Sequence, residues 1–312
     1  MAERPIVAVT AATTATDLVI DLTPVERLLM RTPLVALGEF RCPKEHPQFR
    51  GGGPQACAYV VFPRTPVRIS PHRGRPEVCT PALAVYYNVG DSYERHSIGE
   101  HGDHCDWIAL SQTLLREVIG DGASESSRPG FSGAFSPIAS HHFMAQRRMF
   151  DRLAARRNAS ALEIEEAVLP LLKQMHMDAR ARWTRERGNV RALRPATERE
   201  RRRIANDVER LIAVNYAEDW SLSDLADQVG CSAGHLARAF RAHTGSSLHE
   251  YRNQLRLRAA LPMLRDYRHN LSGLALELGF ASHSHFGENF RRHFGLTPSD
   301  YAGRPLPIPS LN

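Results

Sequence analysis

The chain has 312 residues, 42% of them hydrophobic and 24% charged, and a formal net charge of +6. That length suits two domains better than one, and the balance is that of a soluble globular chain. No run approaches the roughly 18 uncharged apolar residues of a membrane helix, which excludes one, and the mild basicity permits a polyanionic partner without demanding it.

Residues 1–20 are threonine-rich, with an acid beside their only early base, and read as a disordered tail rather than a signal peptide. The basic residues are nearly all arginine, the lysines being Lys44 and Lys173, a bias from which no mechanism is drawn. The cysteines are Cys42, Cys57, Cys79, Cys105 and Cys231. An odd count without an export signal or dense spacing places the chain in a reducing cytoplasm.

Between about 33 and 110, short apolar runs alternate with Gly/Pro punctuation. The runs "CAYVVF" (57–62), "PVRI" (66–69), "LAVYY" (83–87) and "DWIAL" (106–110) predict strands of a barrel or sandwich. Residues 121–133 are rich in breakers and read as a loop. Helical texture begins near 140. Over 163–183, Ile164, Val168, Leu171, Leu172 and Met175 form one apolar stripe, expected to pack against a partner subunit or the chain's own barrel. Pro170 would kink this helix or mark its start. "TRERGNVRALRPA" (184–196) reads as an interdomain linker.

From 197 onward everything reads as short helices. Thr197…Glu200, Ser221…Asp224 and Ser247…Glu250 each place an acid three residues after a hydroxyl, the arrangement of an N-terminal capping box. In "TPSDY" (297–301), Thr297 would cap and Pro298 would open a helix. Gly230, Gly245, Gly279 and Gly295 stand where helices should stop.

This segment contains an internal duplication. "HLARAFRAHTG" (235–245) returns as "HFGENFRRHFG" (285–295), and "SLSDLADQVG" (221–230) aligns with "NLSGLALELG" (270–279). Each copy reads as helix, Gly-containing turn, helix, with one buried side: Leu222, Leu225, Ala226 and Val229 against Leu236 and Phe240 in the first, Leu271, Leu274, Ala275 and Leu278 against Phe286 and Phe290 in the second. That is the pattern of a helix-turn-helix, whose second helix enters the major groove. "LHEYRNQLRLRAALPML" (248–264) would join the two units.

Residues 198–302, and above all "GFASHSHFGENFRRHFGLTPSDY" (279–301), resemble the C-terminal DNA-binding domain of AraC/XylS-type transcriptional regulators. The resemblance implies an α+β chain with a β-rich, cupin-like N-terminal sensor and a helical dimerisation segment (21–185), a linker (186–197), an all-α domain of two helix-turn-helix units (198–302) and a short tail (303–312). It further implies double-stranded promoter DNA and RNA polymerase as partners, a small-molecule or metal effector, a homodimer, and a cytoplasmic, nucleoid-associated regulator rather than an enzyme. Two recognition helices on a stiff joining helix read successive major-groove faces, about 34 Å apart.

Carried onto this chain, the resemblance implies base-edge candidates Gly234, Ala237 and Arg238 in the first unit and Ser282, His283, Ser284, Gly287 and Glu288 in the second, with Ser232 a further DNA-binding residue. Arg238 has the reach to address guanine, and Glu288 can accept from cytosine. Arg241, Arg291 and Arg292, late in the recognition helices, suit phosphates, with a plain solvated face as the alternative. His235, His243, His285 and His293 recur in register and read as structural. Pro262 near the end of the joining helix would bend it, and Gly273 costs about 1 kcal/mol against Ala in a helix.

The first half is less explicit. The paired histidines and downstream acid of a cupin metal site are missing. Cys42, His46, Cys105 and His101 or His104 would make a mixed sulfur/nitrogen zinc site if their two stretches met, the alternative being loop histidines and buried cysteines. Phe62, Tyr86, Tyr87 and Trp107 suit a ligand pocket or an ordinary core, and Arg64 and Arg68 an anionic ligand or the surface. A metal-dependent cupin-type enzyme and a thiol-based stress sensor, each fused to a DNA-binding domain, are the competing readings.

Overall fold

The computed structural model describes residues 18, 20, 22–72, 74–120, 129–155, 159–189 and 195–303. The N-terminal half contains β1 (Glu26–Arg31), β2 (Val35–Cys42), β3 (Gly51–Gly52), β4 (Ala58–Pro63), β5 (Val67–Pro71), β6 (Glu77–Cys79), β7 (Leu83–Tyr87), β8 (Tyr93–Ser97), β9 (Asp103–Leu110) and β10 (Phe135–Pro137). They form two antiparallel sheets, one in the order β1-β2-β9-β4-β7-β10 and one in the order β3-β8-β5-β6.

Strand periodicity decides how these sheets are covered. Side chains alternate faces along a strand, and β9 is buried on both. Ile108 and Leu110 point into a core shared with the helices, while Cys105, Trp107 and Ala109 point into the space between the sheets. The same division runs through β4 and β7: Val60, Phe62 and Tyr86 belong to the first core, Val85 and Tyr87 to the second. The helices on the outer face are α1 (Gln112–Ile119), α2 (Ser140–Ala154) and α3 (Ala161–Asn189). Ser111 caps α1, its hydroxyl accepting from Leu114 N at 3.1 Å.

The stripe on α3 is satisfied within the chain: Ile164, Val168, Leu171, Leu172 and Met175 are all buried in the first core. Pro170 is internal to α3, which begins nine residues earlier, so it does not mark the start. The helix also outlasts its predicted end at 183 and continues to Asn189, into the expected linker.

The C-terminal half comprises α4 (Pro195–Val214), α5 (Leu222–Val229), α6 (Ala233–Thr244), α7 (Leu248–Met263), α8 (Leu271–Glu277), α9 (His283–Phe294) and α10 (Pro298–Gly303). The helix start expected at Thr197 lies two residues earlier, at Pro195, whose missing N–H costs nothing in a first turn. The capping boxes at Ser221 and Ser247 are both formed, and Ser232, Asn270 and Ser282 cap α6, α8 and α9. Gly273 follows from its cap: Asn270 Oδ1 accepts from Gly273 N at 2.9 Å, and the amide fills the space a Cβ would need. Gly279 has φ +78°, and a Cβ there would collide with the Ala217 carbonyl. Pro262 lies in the last turn of α7. Residues 1–17 of the expected tail, 121–128 of the expected loop, 190–194 of the expected linker and 304–312 of the expected C-terminal tail lie outside the described residues. Among the described residues no helix is long and apolar enough to cross a membrane.

Candidate nucleic-acid interface

The two helix pairs, α5–α6 and α8–α9, are built alike. In the first, Leu225 and Ala226 meet Leu236, Ala239 and Phe240 in a core completed by Ile204, Val208 and Ile212 of α4. In the second, Leu274, Ala275 and Leu278 meet Phe286 and Phe290. In both, a left-handed glycine, Gly230 or Gly279, lets the chain reverse between the helices.

Arg256 of α7 fastens the pairs together. Its guanidinium donates to the carbonyls of Tyr216 at 2.6 Å, Ala217 at 3.1 Å and Glu218 at 3.0 Å, in the turn from α4 into α5, and to Gly279 O at 2.7 Å, in the turn of the second pair. Burial, with Arg252 nearby, pushes its pKa down to about 10, so it stays charged near neutrality. One side chain on the joining helix thus spans both units, a means of fixing their relative orientation that the sequence did not disclose.

The outer faces of α6 and α9 carry the predicted residues. Ser232, Gly234, Arg238 and Arg241 are exposed, and Ala237 is half-buried beside them. Ser282, His283, Ser284, Glu288, Arg291 and Arg292 are exposed, and Gly287 is half-buried. Each helix therefore presents polar side chains from its first turns to solvent and keeps its apolar stripe inside.

Residues 225–304 match the family model described as a helix-turn-helix domain. The HTH-type transcriptional regulator YidL of Escherichia coli is 35% identical over 95 residues, 30% of this chain and 32% of that protein. A protein named as an AraC-like transcription regulator in Streptomyces lividans is 34% identical over 89 residues, 28% of this chain and 29% of its own length. The chain carries an AraC-type helix-turn-helix domain. It spans less than a third of the length of either of these curated relatives. A solved transcriptional regulator of Chromobacterium violaceum with an AraC-type DNA-binding domain is 29% identical, covering 33% of this chain and 91% of that one, with a TM-score of 0.31.

The AraC-type domain is docked on the β-rich half through residues that carry no local sequence signal for this role. Arg258 of α7 is buried, donates to Ile138 O at 2.6 Å and to Pro81 O, and lies 4.6 Å from the Phe143 ring centroid. Tyr251 and Thr80 share a hydrogen bond of 3.0 Å between their hydroxyls. Tyr301 donates to Asp151 Oδ2 at 3.3 Å.

Two of the four registered histidines take part in this docking rather than only in the helix pairs. His243 Nε2 lies 2.8 Å from Glu77 Oε1 and 3.6 Å from Glu209 Oε2. Burial works against its charge, but the two carboxylates beside it win and raise its pKa to about 10. His293 meets the Ser140 hydroxyl at 3.0 Å, and burial, with Arg258 nearby, pushes it down to about 4. His285 packs edge-on to Phe280 at 5.7 Å, within its own pair. The sequence offers a faint signal for the two arginines, since α7 sets Arg256 and Arg258 among leucines and alanines.

The predicted zinc cluster is not assembled. The Cys42 thiol faces Pro43 O, His46 Nδ1 accepts from Gln48 N at 3.2 Å, His101 is exposed, and His104 lies 3.3 Å from Arg64 Nη1. Cys105 is fully inside, where burial drives its thiol pKa well up. The register explains the failure: Cys42 pairs with Asp103 and Phe40 with Cys105, so both cysteines face the apolar space between the sheets, away from the histidines. Phe62, Tyr86, Tyr87 and Trp107 are core residues, Phe62 against Phe150 and Trp107 against Tyr59. Arg64 is committed to Glu39 and Asp106, at 3.7 and 3.6 Å, whereas Arg68 is exposed.

Proposed function

We propose that this chain is a sequence-specific, DNA-binding transcriptional regulator in which α6 and α9 are the recognition helices of two helix-turn-helix units. One observation carries this reading. The first turns of both helices face solvent with Arg238, His283, Ser284 and Glu288, while their last turns are held by the β-rich half through His243 and His293. The docked half therefore leaves the reading ends uncovered. Arg238 addresses a base, Arg241, Arg291 and Arg292 grip phosphates, and the unequal sequences of the two units select an asymmetric site.

The two sheets, in this reading, form a cupin-like sensor (21–185) whose state is passed to the DNA-binding domain (198–302) through the docking contacts. The stripe of α3 is used up inside the chain, so a homodimer would form through another surface. The curated relatives' names as regulators support this reading over an enzymatic one. The decisive experiment is selection of duplex DNA from a random library by the full-length chain, followed by footprinting. A single asymmetric site protected on two neighbouring major-groove faces is expected. Enrichment of no sequence, with binding that depends on salt alone, would refute the proposal.

A further inference from the structure

Glu77 of β6, Glu209 of α4 and His243 of α6 come from three elements and two halves of the molecule, yet one ligand atom from each lies within 4.8 Å of the other two. Glu209 is 3% exposed, and its Oε2 has no hydrogen-bond partner. At 3.6 Å from His243 Nε2, that oxygen is in ion-pair range but beyond a hydrogen bond. A buried carboxylate oxygen left this way is costly unless something binds it. The triad also borders a cleft of about 1940 Å³ between the two halves, which gives an ion and its water ligands a way in.

A second trio of the same ligand types, Glu39, His104 and Asp106, supplies the contrast. There Arg64 Nη1 stands 3.3–3.7 Å from all three, and Arg147 is bonded to Asp106, so cations already occupy the centre. At Glu77, Glu209 and His243 the guanidinium of Arg202 is paired at the edge instead, 3.7 Å from the outer oxygen of Glu77, Oε2. Glu77 Oε1, Glu209 Oε2 and His243 Nε2 are left facing one another.

We propose that Glu77, Glu209 and His243 form a divalent transition-metal site that joins the β-rich half to the first helix pair. Two carboxylate oxygens and one imidazole nitrogen suit Zn²⁺, Mn²⁺ or a similar ion, with water from the cleft completing the shell. The two carboxylates balance the ion's charge when the imidazole is neutral, so uptake releases the imidazolium proton. The ion ties α6 to β6 and α4 in place of the shared proton.

The test uses the full-length chain stripped with chelator. Calorimetric titration with Zn²⁺ is expected to show one saturable ion per chain at this site, and Glu77→Gln and Glu209→Gln are each expected to weaken it at least about tenfold. Circular dichroism establishes that each variant is folded, and Glu77→Gln serves alone if loss of the Glu209 charge disturbs the core. Titration with Co²⁺ should give ligand-field bands without thiolate charge transfer, because no sulfur takes part. Absence of saturable binding, binding that survives both substitutions, or a thiolate band pointing to the cysteines would each overturn the proposal.

Discussion

The two helix pairs are written from nearly the same eleven residues, yet the histidine eight positions into each copy meets opposite surroundings. His243 sits between two carboxylates and is held charged, whereas His293 sits beside a hydroxyl near the buried Arg258 and is held neutral. Duplication preserved the helix-turn-helix scaffold, because Leu236/Phe240 and Phe286/Phe290 must fill the same kind of core. It left the docking face free to diverge. The first pair is therefore attached by charge and the second by packing and neutral hydrogen bonds, so conditions that alter charge should act on the two attachments separately.

The largest effect should come from removing what the two attachments share. Arg258→Met leaves the Pro81 and Ile138 carbonyls without their donor, and each charge-assisted bond is worth roughly 1.5–3 kcal/mol before the relief of unburying a charge. A loss of about 2–4 kcal/mol in urea unfolding is expected, with the two halves separating into distinct transitions. An unchanged single transition would mean that the docking holds without it.

The histidines should then split by pH. The raised pKa of His243 contributes stability that is complete below its unfolded value of about 6.5 and is lost as pH rises toward 10, at up to about 1.4 kcal/mol per unit. The depressed pKa of His293 works the other way, its contribution being complete above about 6.5 and lost as pH falls toward 4. Melting with chelator present should show His243→Gln flattening the alkaline side and His293→Gln the acid side. If either substitution flattened both limbs, the attachments would not be separate.

Smaller effects are expected on the outer faces. Arg238→Ala should cost about 1–3 kcal/mol and relax preference at one base position, measured by competition with substituted operators. An equal loss for every sequence would reassign Arg238 to a phosphate. Arg291→Ala and Arg292→Ala should each lower the slope of log affinity against log salt by about one and leave preference unchanged.

Much of this architecture was legible. The strands β4, β5, β7 and β9 stand where apolar runs predicted them, and the glycine stops and two capping boxes of the helical half are formed, because these signals are local. The short, polar β8, "YERHS", lacks the apolar run that marks the others. Its Arg95 is buried 4.4 Å from the Phe40 ring centroid with Asp103 2.7 Å from Nε, and nothing near it in sequence announces that cage. The zinc expectation failed although its two stretches do meet: β2 and β9 pair, Cys42 with Asp103 and Arg41 with His104, but that register turns the cysteines inward and His104 to the other face.

The sequence by itself determined the helix-turn-helix domain, since periodicity, caps and glycines act over a few residues and the duplicated text repeats them. Only the tertiary structure decided that Arg256 would clamp the two pairs, that Arg258 would seat them on the β-rich half, and that Glu77 and Glu209 would meet His243. Those partners lie from tens to well over a hundred residues apart, and a buried charge reveals its role only when the groups that compensate for its desolvation are in place around it.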